Sequence, residues 1–346
     1  MALGPRFVAV LLVLTPLGAH ARATSGPVEQ FDAAVAGLSL RDSSPDEARN
    51  RVTRSAADFE VGRRLNIAVD FPGDVPATMY SGLLHGEAAV FTRSGQHLDA
   101  TVMRKGNIEV VSFDASTAPA AGLSPTIPAR TSPRVRRSVG PGHFEDPAAY
   151  NLHFFFLKHD DLADRTLREL HANYVAWWLA DFSLRVLPVE PIRITYAERA
   201  SWLTSMPYGR IDSLDNFERM LKFLDHEHNF DMDRTYKRKY VLLTAERPMP
   251  GTAGVAFEGG NEAIASVAGL SRIVAHEIGH MLGATHEQAE IRGWWGCDTN
   301  MVPNVSTLRG DCLEYSSANR RAIRSYMRHG PNLTLPRRMA DAPAPE

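Results

Sequence analysis

The run His276-Glu-Ile-Gly-His280-Met-Leu-Gly283-Ala-Thr-His286 constrains this chain more than any other stretch. Residues four apart lie on one face of an α-helix, about a turn apart, so His276 and His280 can reach one point beside the helix. Glu277 is rotated by about 100° from His276. It does not compete for that point, and it can address a water molecule held there. Gly283 ends or bends the helix, because glycine accepts a left-handed backbone at little cost. The chain can then turn back and bring His286 to the same place. Three imidazoles with a fourth direction open form the ligand set of a catalytic zinc ion rather than a structural one. Such an ion lowers the pKa of water from roughly 15.7 to about 7. The run therefore implies one Zn2+ held by His276, His280 and His286, with Glu277 as general base and acid.

The full pattern, two histidines four apart with the glutamate between them, then the glycine and the third histidine, resembles the metzincin clan of zinc peptidases. Members carry a methionine turn downstream, beneath the metal. The segment Cys297-Asp-Thr-Asn-Met301-Val-Pro303 fits that turn, with Met301 as its methionine. The implied role of Met301 is a hydrophobic floor, not a ligand. The resemblance covers about residues 139–328, although only 276–286 and 297–303 are motif-specific. It implies an α+β fold: a metzincin-type zincin catalytic domain with a mixed five-stranded sheet, helices, the zinc helix, the methionine turn and a C-terminal helix. Met301-Val-Pro303, then Cys312 and Tyr315-Ser316-Ser317 before a helix, is similar to reprolysin (adamalysin-like) endings, and a divergent bacterial member is the expectation. Glu287 departs from the aspartate usual there and is more like astacins. Astacins follow the methionine closely with a tyrosine, whereas 302–304 are Val, Pro and Asn, so no tyrosine ligand is carried over.

The expected activity is hydrolysis of internal peptide bonds in a protein or peptide substrate. The resemblance places an extended substrate antiparallel to an edge strand above the cleft, here Gly254-Val255-Ala256-Phe257. Main-chain hydrogen bonds would give generic affinity and pockets would choose sequence. The zinc helix and Pro303, Asn304 and Val305 would wall the prime-side pocket. Two other classes compete: a zinc-containing exported binding or toxin-like subunit that no longer cuts, and a zinc amidohydrolase acting on non-peptide amides. Retention of Glu277 argues against the first, since a structural zinc needs no proton shuttle. The edge strand beside the cleft argues against the second.

The 346 residues allow about two domains. Hydrophobic residues make up 44% and charged residues 23%, enough for a packed core. A net charge of -2 gives no reason to invoke nucleic acid. Residues 1–23 read as a secretory signal: Arg6, an apolar stretch over 7–17, then two small-x-small cleavage sites, Ala19-His20-Ala21 and Ala21-Arg22-Ala23. The apolar stretch is well short of the ~20 residues needed to span a bilayer. A secreted (extracellular or periplasmic) protein is therefore expected, with no membrane span. The two cysteines, Cys297 and Cys312, flank the methionine turn. In an exported chain they are expected to form a disulfide, the alternative being two buried thiols.

Residues 24–60 read as a partly ordered lead-in and 64–113 as a small β domain punctuated by Gly73, Gly82, Gly95 and Gly106. Residues 115–142 turn Pro-, Ala-, Ser- and Thr-rich, a linker composition. Arg136-Arg137-Ser138 inside it suits a processing enzyme, with cleavage after Arg137 separating a β-rich propeptide (24–137) from a catalytic domain (138–346). The competing reading is a basic linker that is never cut. No cysteine stands upstream of Cys297, so a cysteine latch on the zinc is ruled out. A propeptide carboxylate, with Asp70, Asp99 and Asp114 as candidates, or simple occlusion of the cleft could serve instead.

Strands are expected at 151–158, 192–197, 240–245, 254–257 and 263–267, and helices at 162–182, 213–230 (capped by Ser213), from about 271, and 317–327. His226 and His228 point apart on a helix and read as a polar helix end. The stretch 340–346 reads as frayed.

Overall fold

A computed structural model describes residues 26–41, 59–104, 106–115, 152–228, 235–293, 296–303, 309–331 and 339–343. The signal-like segment, Arg137 and Ser138, and Asn304 and Val305 lie outside the described residues. So do the side chains of His226 and His228, which stand at the end of a helix.

The N-terminal part opens with helix α1 (Pro27–Arg41) and continues as a five-strand meander: β1 (Phe59–Asp70), β2 (Ala77–Leu84), β3 (Glu87–Ser94), β4 (His97–Arg104) and β5 (Asn107–Asp114). Val28 and Phe31 of α1 are buried among Phe59, Tyr80 and Phe91. The strand region starts at Phe59, not at 64. Register shifts at Val61/Arg63 and Arg64/Ala68 break the two-residue alternation, which hides the first half of β1 from a periodicity reading. The helix was also not legible, because it forms by packing a few apolar residues on the meander rather than by a strong amphipathic pattern.

The second part follows the expected order: β6 (Leu152–Lys158), α2 (Leu167–Tyr174), α3 (Ala176–Asp181), β7 (Ile192–Glu198), the short α4 (Ser201–Thr204), α5 (Ser213–His228), β8 (Arg238–Thr244), β9 (Thr252–Phe257), β10 (Glu262–Ser266) and α6 (Ile273–Met281). The single helix expected over 162–182 is broken. Thr166 and Glu169 form a reciprocal capping box that starts α2 at Leu167. β-Branched Val175, at φ −122° and ψ −47°, separates α2 from α3, and a π turn, Phe182–Val186, extends the path. Ser213 does not cap α5 as expected. Its hydroxyl accepts the amide of Arg210 (3.0 Å), closing the turn before the helix. After α6, three two-residue strands, β11 (Ile291–Arg292), β12 (Cys297–Asp298) and β13 (Gly310–Asp311), form a small sheet. Helix α7 (Ser317–His329) and strand β14 (Met339–Pro343) follow.

The expected five strands are present in the order β9-β10-β8-β6-β7, but they do not form a five-stranded sheet. The sheet has eleven strands, β14-β9-β10-β8-β6-β7-β1-β2-β3-β4-β5. β1 runs parallel to β7, from Ile67 opposite Ile192 to Asp70 opposite Thr195. Leu65, Ile67, Val69 and Met79 share one core with Phe154, Trp178 and Ile194. The expected boundary between 24–137 and 138–346 thus crosses a continuous sheet and a shared core. At the far end β14 pairs antiparallel with β9. The frayed segment expected at 340–346 is therefore a strand through Pro343, held by the otherwise open backbone edge of β9. No helix among the described residues is long and apolar enough to cross a membrane.

Candidate metal centre

The zinc-ligand candidates converge. The Nε2 atoms of His276 and His286 are 2.9 Å apart, those of His280 and His286 3.0 Å, and those of His276 and His280 3.1 Å. Helix α6 supplies the first two at i and i+4. Its end brings the third. Gly283 adopts φ +79°, the amide of Gly283 donates to His280 O (3.0 Å), and the amide of Ala284 donates to Gly279 O (2.8 Å). This paired closure is the Schellman ending that a glycine permits. The chain reverses there and enters the 3-10 turn His286–Gln288.

The hydrogen bonds around the rings fix their protonation. His276 Nδ1 is 2.8 Å from Asn300 O, and His280 Nδ1 is 3.2 Å from Ala284 O. A carbonyl only accepts, so each Nδ1 carries the proton and each neutral ring turns its Nε2 lone pair inward. Burial holds His276 well below the usual imidazole range, with His280 and His286 adding to the effect. Burial and His286 push His280 down to about 3. Neutral imidazoles whose lone pairs meet at about 3 Å repel unless a cation lies between them. Tetrahedral zinc with Zn–N bonds of about 2.0–2.1 Å separates its nitrogens by roughly 3.3 Å, close to the spacing seen here. The three residues fit the ion. Among the described residues, this triad is the one group of three or more His, Cys, Asp or Glu able to share a metal.

Glu277 is fully buried in α6 and faces β9. A side chain at Gly254 would fall 2.7 Å from Glu277 Cγ and 2.8 Å from its Cδ. The proposed base and the proposed substrate strand are therefore in direct contact, and only glycine leaves the carboxylate room. Gly254 and Ala256 face α6. Val255, on the other face, packs with Leu242, Ile264 and the α5 residues Leu214 and Phe217. Val255 and Ala256 are fully buried, so what they offer a substrate is backbone. Phe257 is half-buried, and Pro303 is partly exposed just past the methionine turn.

Met301 is fully buried beneath α6. A Cβ added to Gly279 would overlap its sulfur and lie 3.1 Å from its Cε. The turn that carries Met301 also supplies Asn300 O to His276, so the floor and the first ligand are positioned by adjacent residues. Cys297 and Cys312 form a disulfide across this loop, Cα–Cα 4.8 Å, which excludes the alternative of two free thiols.

Several supports had no local sequence signal. Lys239 is fully buried and donates to Gly260 O (2.6 Å), Met281 O (2.9 Å) and Tyr326 Oη (2.8 Å), tying the end of α6 to the β9–β10 turn and to α7. Asn319 of α7 accepts the Thr285 amide (2.9 Å) and donates to Thr285 O (3.2 Å), fixing the residue before His286. Tyr315 donates its hydroxyl to Ala275 O (2.5 Å) within α6. Arg272, buried at the start of that helix, pairs with Asp311 at 3.0 Å. The carboxylates considered for latency are elsewhere. Asp70 pairs with Arg193 (2.7 Å), Asp99 accepts from Ser112 (2.6 Å) and Asp114 meets His97, all on the meander side of β7.

Among solved structures, metalloproteinase-II from Bacteroides fragilis is similar to this chain at 15% sequence identity and a TM-score of 0.49, over 78% of this chain and 86% of that one. No protein-family model matches the sequence, and no curated protein does.

Proposed function

We propose that this chain is an exported zinc-dependent endopeptidase of the reprolysin-like metzincin type. The observation that carries the reading is the triangle of Nε2 atoms, 2.9–3.1 Å on a side, beside a buried glutamate that touches the edge strand. His276, His280 and His286 would hold the ion. When bound, zinc supplies Lewis acidity, making water acidic enough to ionise near neutral pH and polarising a carbonyl.

The chain's own groups do the rest. The backbone of β9 orients an extended peptide by strand pairing. Glu277 accepts the proton released as water oxygen bonds to the scissile carbonyl carbon. As the C–N bond breaks, Glu277 delivers that proton to the departing amine nitrogen. Burial of Glu277 keeps bulk water from competing for it. The stretch 115–142 is proposed as the activation linker, cut between Arg137 and Ser138, and residues 1–23 as the export signal.

Glu277→Gln tests the reading. It preserves shape and metal but removes the base. Zinc content should remain at one ion per chain while cleavage of an unfolded protein substrate falls by about 10²- to 10⁴-fold. Near-normal turnover with the glutamine in place would remove Glu277 from the mechanism. An unsubstituted protein that holds zinc and cuts no peptide would favour a binding subunit instead.

A further inference from the structure

We infer that the segment Met339–Pro343 is a built-in competitor of substrate. It occupies the edge of β9 that a peptide must use. The consequence for catalysis rests on the endopeptidase reading. The geometry does not.

Backbone accounting makes the case. A strand has two hydrogen-bonding edges. On one side of β9, Gly254, Val255 and Ala256 stand opposite Ala265, Ile264 and Ala263 of β10. On the other side the same three residues stand opposite Ala342, Asp341 and Ala340 of β14. Both edges are used over the length that faces the metal centre. A substrate strand can pair with β9 only after β14 leaves.

The placement is at the reacting end of the cleft, not merely on the same strand. Gly254 is the residue against which Glu277 packs, and its partner in β14 is Ala342. β14 also lies against α6. Its direction is antiparallel to β9, the direction expected of an extended substrate.

The fold delivers the segment there. Helix α7 ends at Gly330 and Pro331, and Pro331 lies next to Gly259 in the turn that follows β9. The chain re-enters at Met339 opposite Phe257, the nearest end of that strand. Only residues 332–338 separate the two points. Pro343 limits the pairing: it has no N–H to donate, and the register shifts between Ala342 and Pro343. The competitor is short by construction. Ala340 is buried and Met339 is 45% exposed, and the main chain pairs with β9 from Met339 to Pro343.

A five-residue strand that binds in trans at about 0.1 mM, held at an effective concentration of about 1 mM, leaves roughly one molecule in ten open. Such competition acts on KM, not on kcat.

The experiment compares the full chain, a chain ending at Pro331, and an Ala340→Pro/Asp341→Pro variant. Consecutive N–H groups of a strand point to opposite sides, so the double substitution removes whichever donor faces β9, and it needs no deletion. First, in a Glu277→Gln background, fluorescence anisotropy follows a labelled peptide of residues 337–346. The shortened and proline variants should bind it about tenfold more tightly than the full chain. Equal binding by all three, or binding by none, overturns the inference. Second, with Glu277 restored, kcat/KM on an unfolded protein substrate should rise about tenfold through KM. Unchanged KM, with cleavage present, also overturns it. Peptide discrimination without cleavage by any form would instead sink the peptidase reading and leave the tail's position standing.

Discussion

The five expected strands are flanked by β1 at the β7 end and β14 at the β9 end, and the two are attached by different physics. β1 joins β7 with its side chains. Ile67 and Val69 enter the core that also holds Phe154, Trp177 and Trp178. Buried polar groups join the same two parts: Thr92 meets His171 (3.1 Å), whose other ring nitrogen meets Tyr196 Oη (2.8 Å) within the second part, and Thr101 donates to Ala172 O (2.8 Å). β14 joins β9 by main-chain pairing from Met339 to Pro343. Apolar burial contributes about 25 cal/mol per Å²; Ile67 and Val69 bring it to the first attachment, whereas Met339 at the second is 45% exposed. A strand that must yield to substrate has to come from the weakly held end of the structure. A wall behind the proposed active site need not.

Among the described residues, the N-terminal strands meet the sheet at β7 and not at β9. β1 is five strands away from β9 in the sheet, past β7, β6, β8 and β10, and its carboxylates are engaged on the meander side. Among the described residues, the strand that covers the site is β14.

The largest effect expected on either side is the loss of about 10²- to 10⁴-fold in cleavage for Glu277→Gln, which acts at the β9 side without touching the β7 side. The next is on stability. Ile67→Ala empties part of the shared core and should cost about 2–5 kcal/mol in urea unfolding. Tryptophan fluorescence, to which Trp177 and Trp178 in that core contribute, should report one transition shifted to lower urea. An unmoved tryptophan transition would mean that the meander folds apart from the second part of the chain.

A smaller effect tests the seam directly. Protein cut between Arg137 and Ser138 should remain a two-fragment complex on size exclusion at pH 7.5, because β1 stays in the sheet. Burial, then the Arg168 charge, pushes His171 down to about 3. The unfolded histidine binds its proton near pH 6.5, so this contribution is complete above that value and is lost as pH falls toward 3. His153 in β6 is also pushed down to about 3, by burial and then by Arg238 and Arg193, so acid loosens the second part too. His171→Asn separates the two: it should flatten the fall in complex stability between pH 6.5 and 4. Fragments that part at pH 7.5 would contradict the shared core. An unchanged acid profile in the variant would remove His171 from the seam.

What the sequence made legible was local. The ligand spacing, the glycine turn and the cysteine pair around Met301 each lie within a few turns of chain, where helix geometry and loop closure dictate the outcome. The strand order of the second part followed from alternation and length. What it hid was long-range. Nothing near Gly254 or Gly279 signals that one makes room for Glu277 and the other for Met301. Lys239 opens an apolar strand and looks like a surface residue until three distant acceptors surround it. Ala340 to Pro343 reads as a loose end because no local pattern marks a strand whose stability comes from its partner's free edge. The parallel docking of β1 on β7 escapes notice for the same reason, with bulges further masking its alternation.

The proposed chemistry needs one ion among three imidazoles with a direction left open. X-ray absorption at the zinc edge of the purified, metal-loaded protein measures this most directly. It should show three imidazole nitrogens at about 2.0–2.1 Å and one light-atom ligand lost from the spectrum only when an inhibitor or substrate replaces it. His286→Ala should lower the nitrogen count and release the ion. A sulfur shell, four protein ligands, or no bound zinc at one equivalent would contradict it.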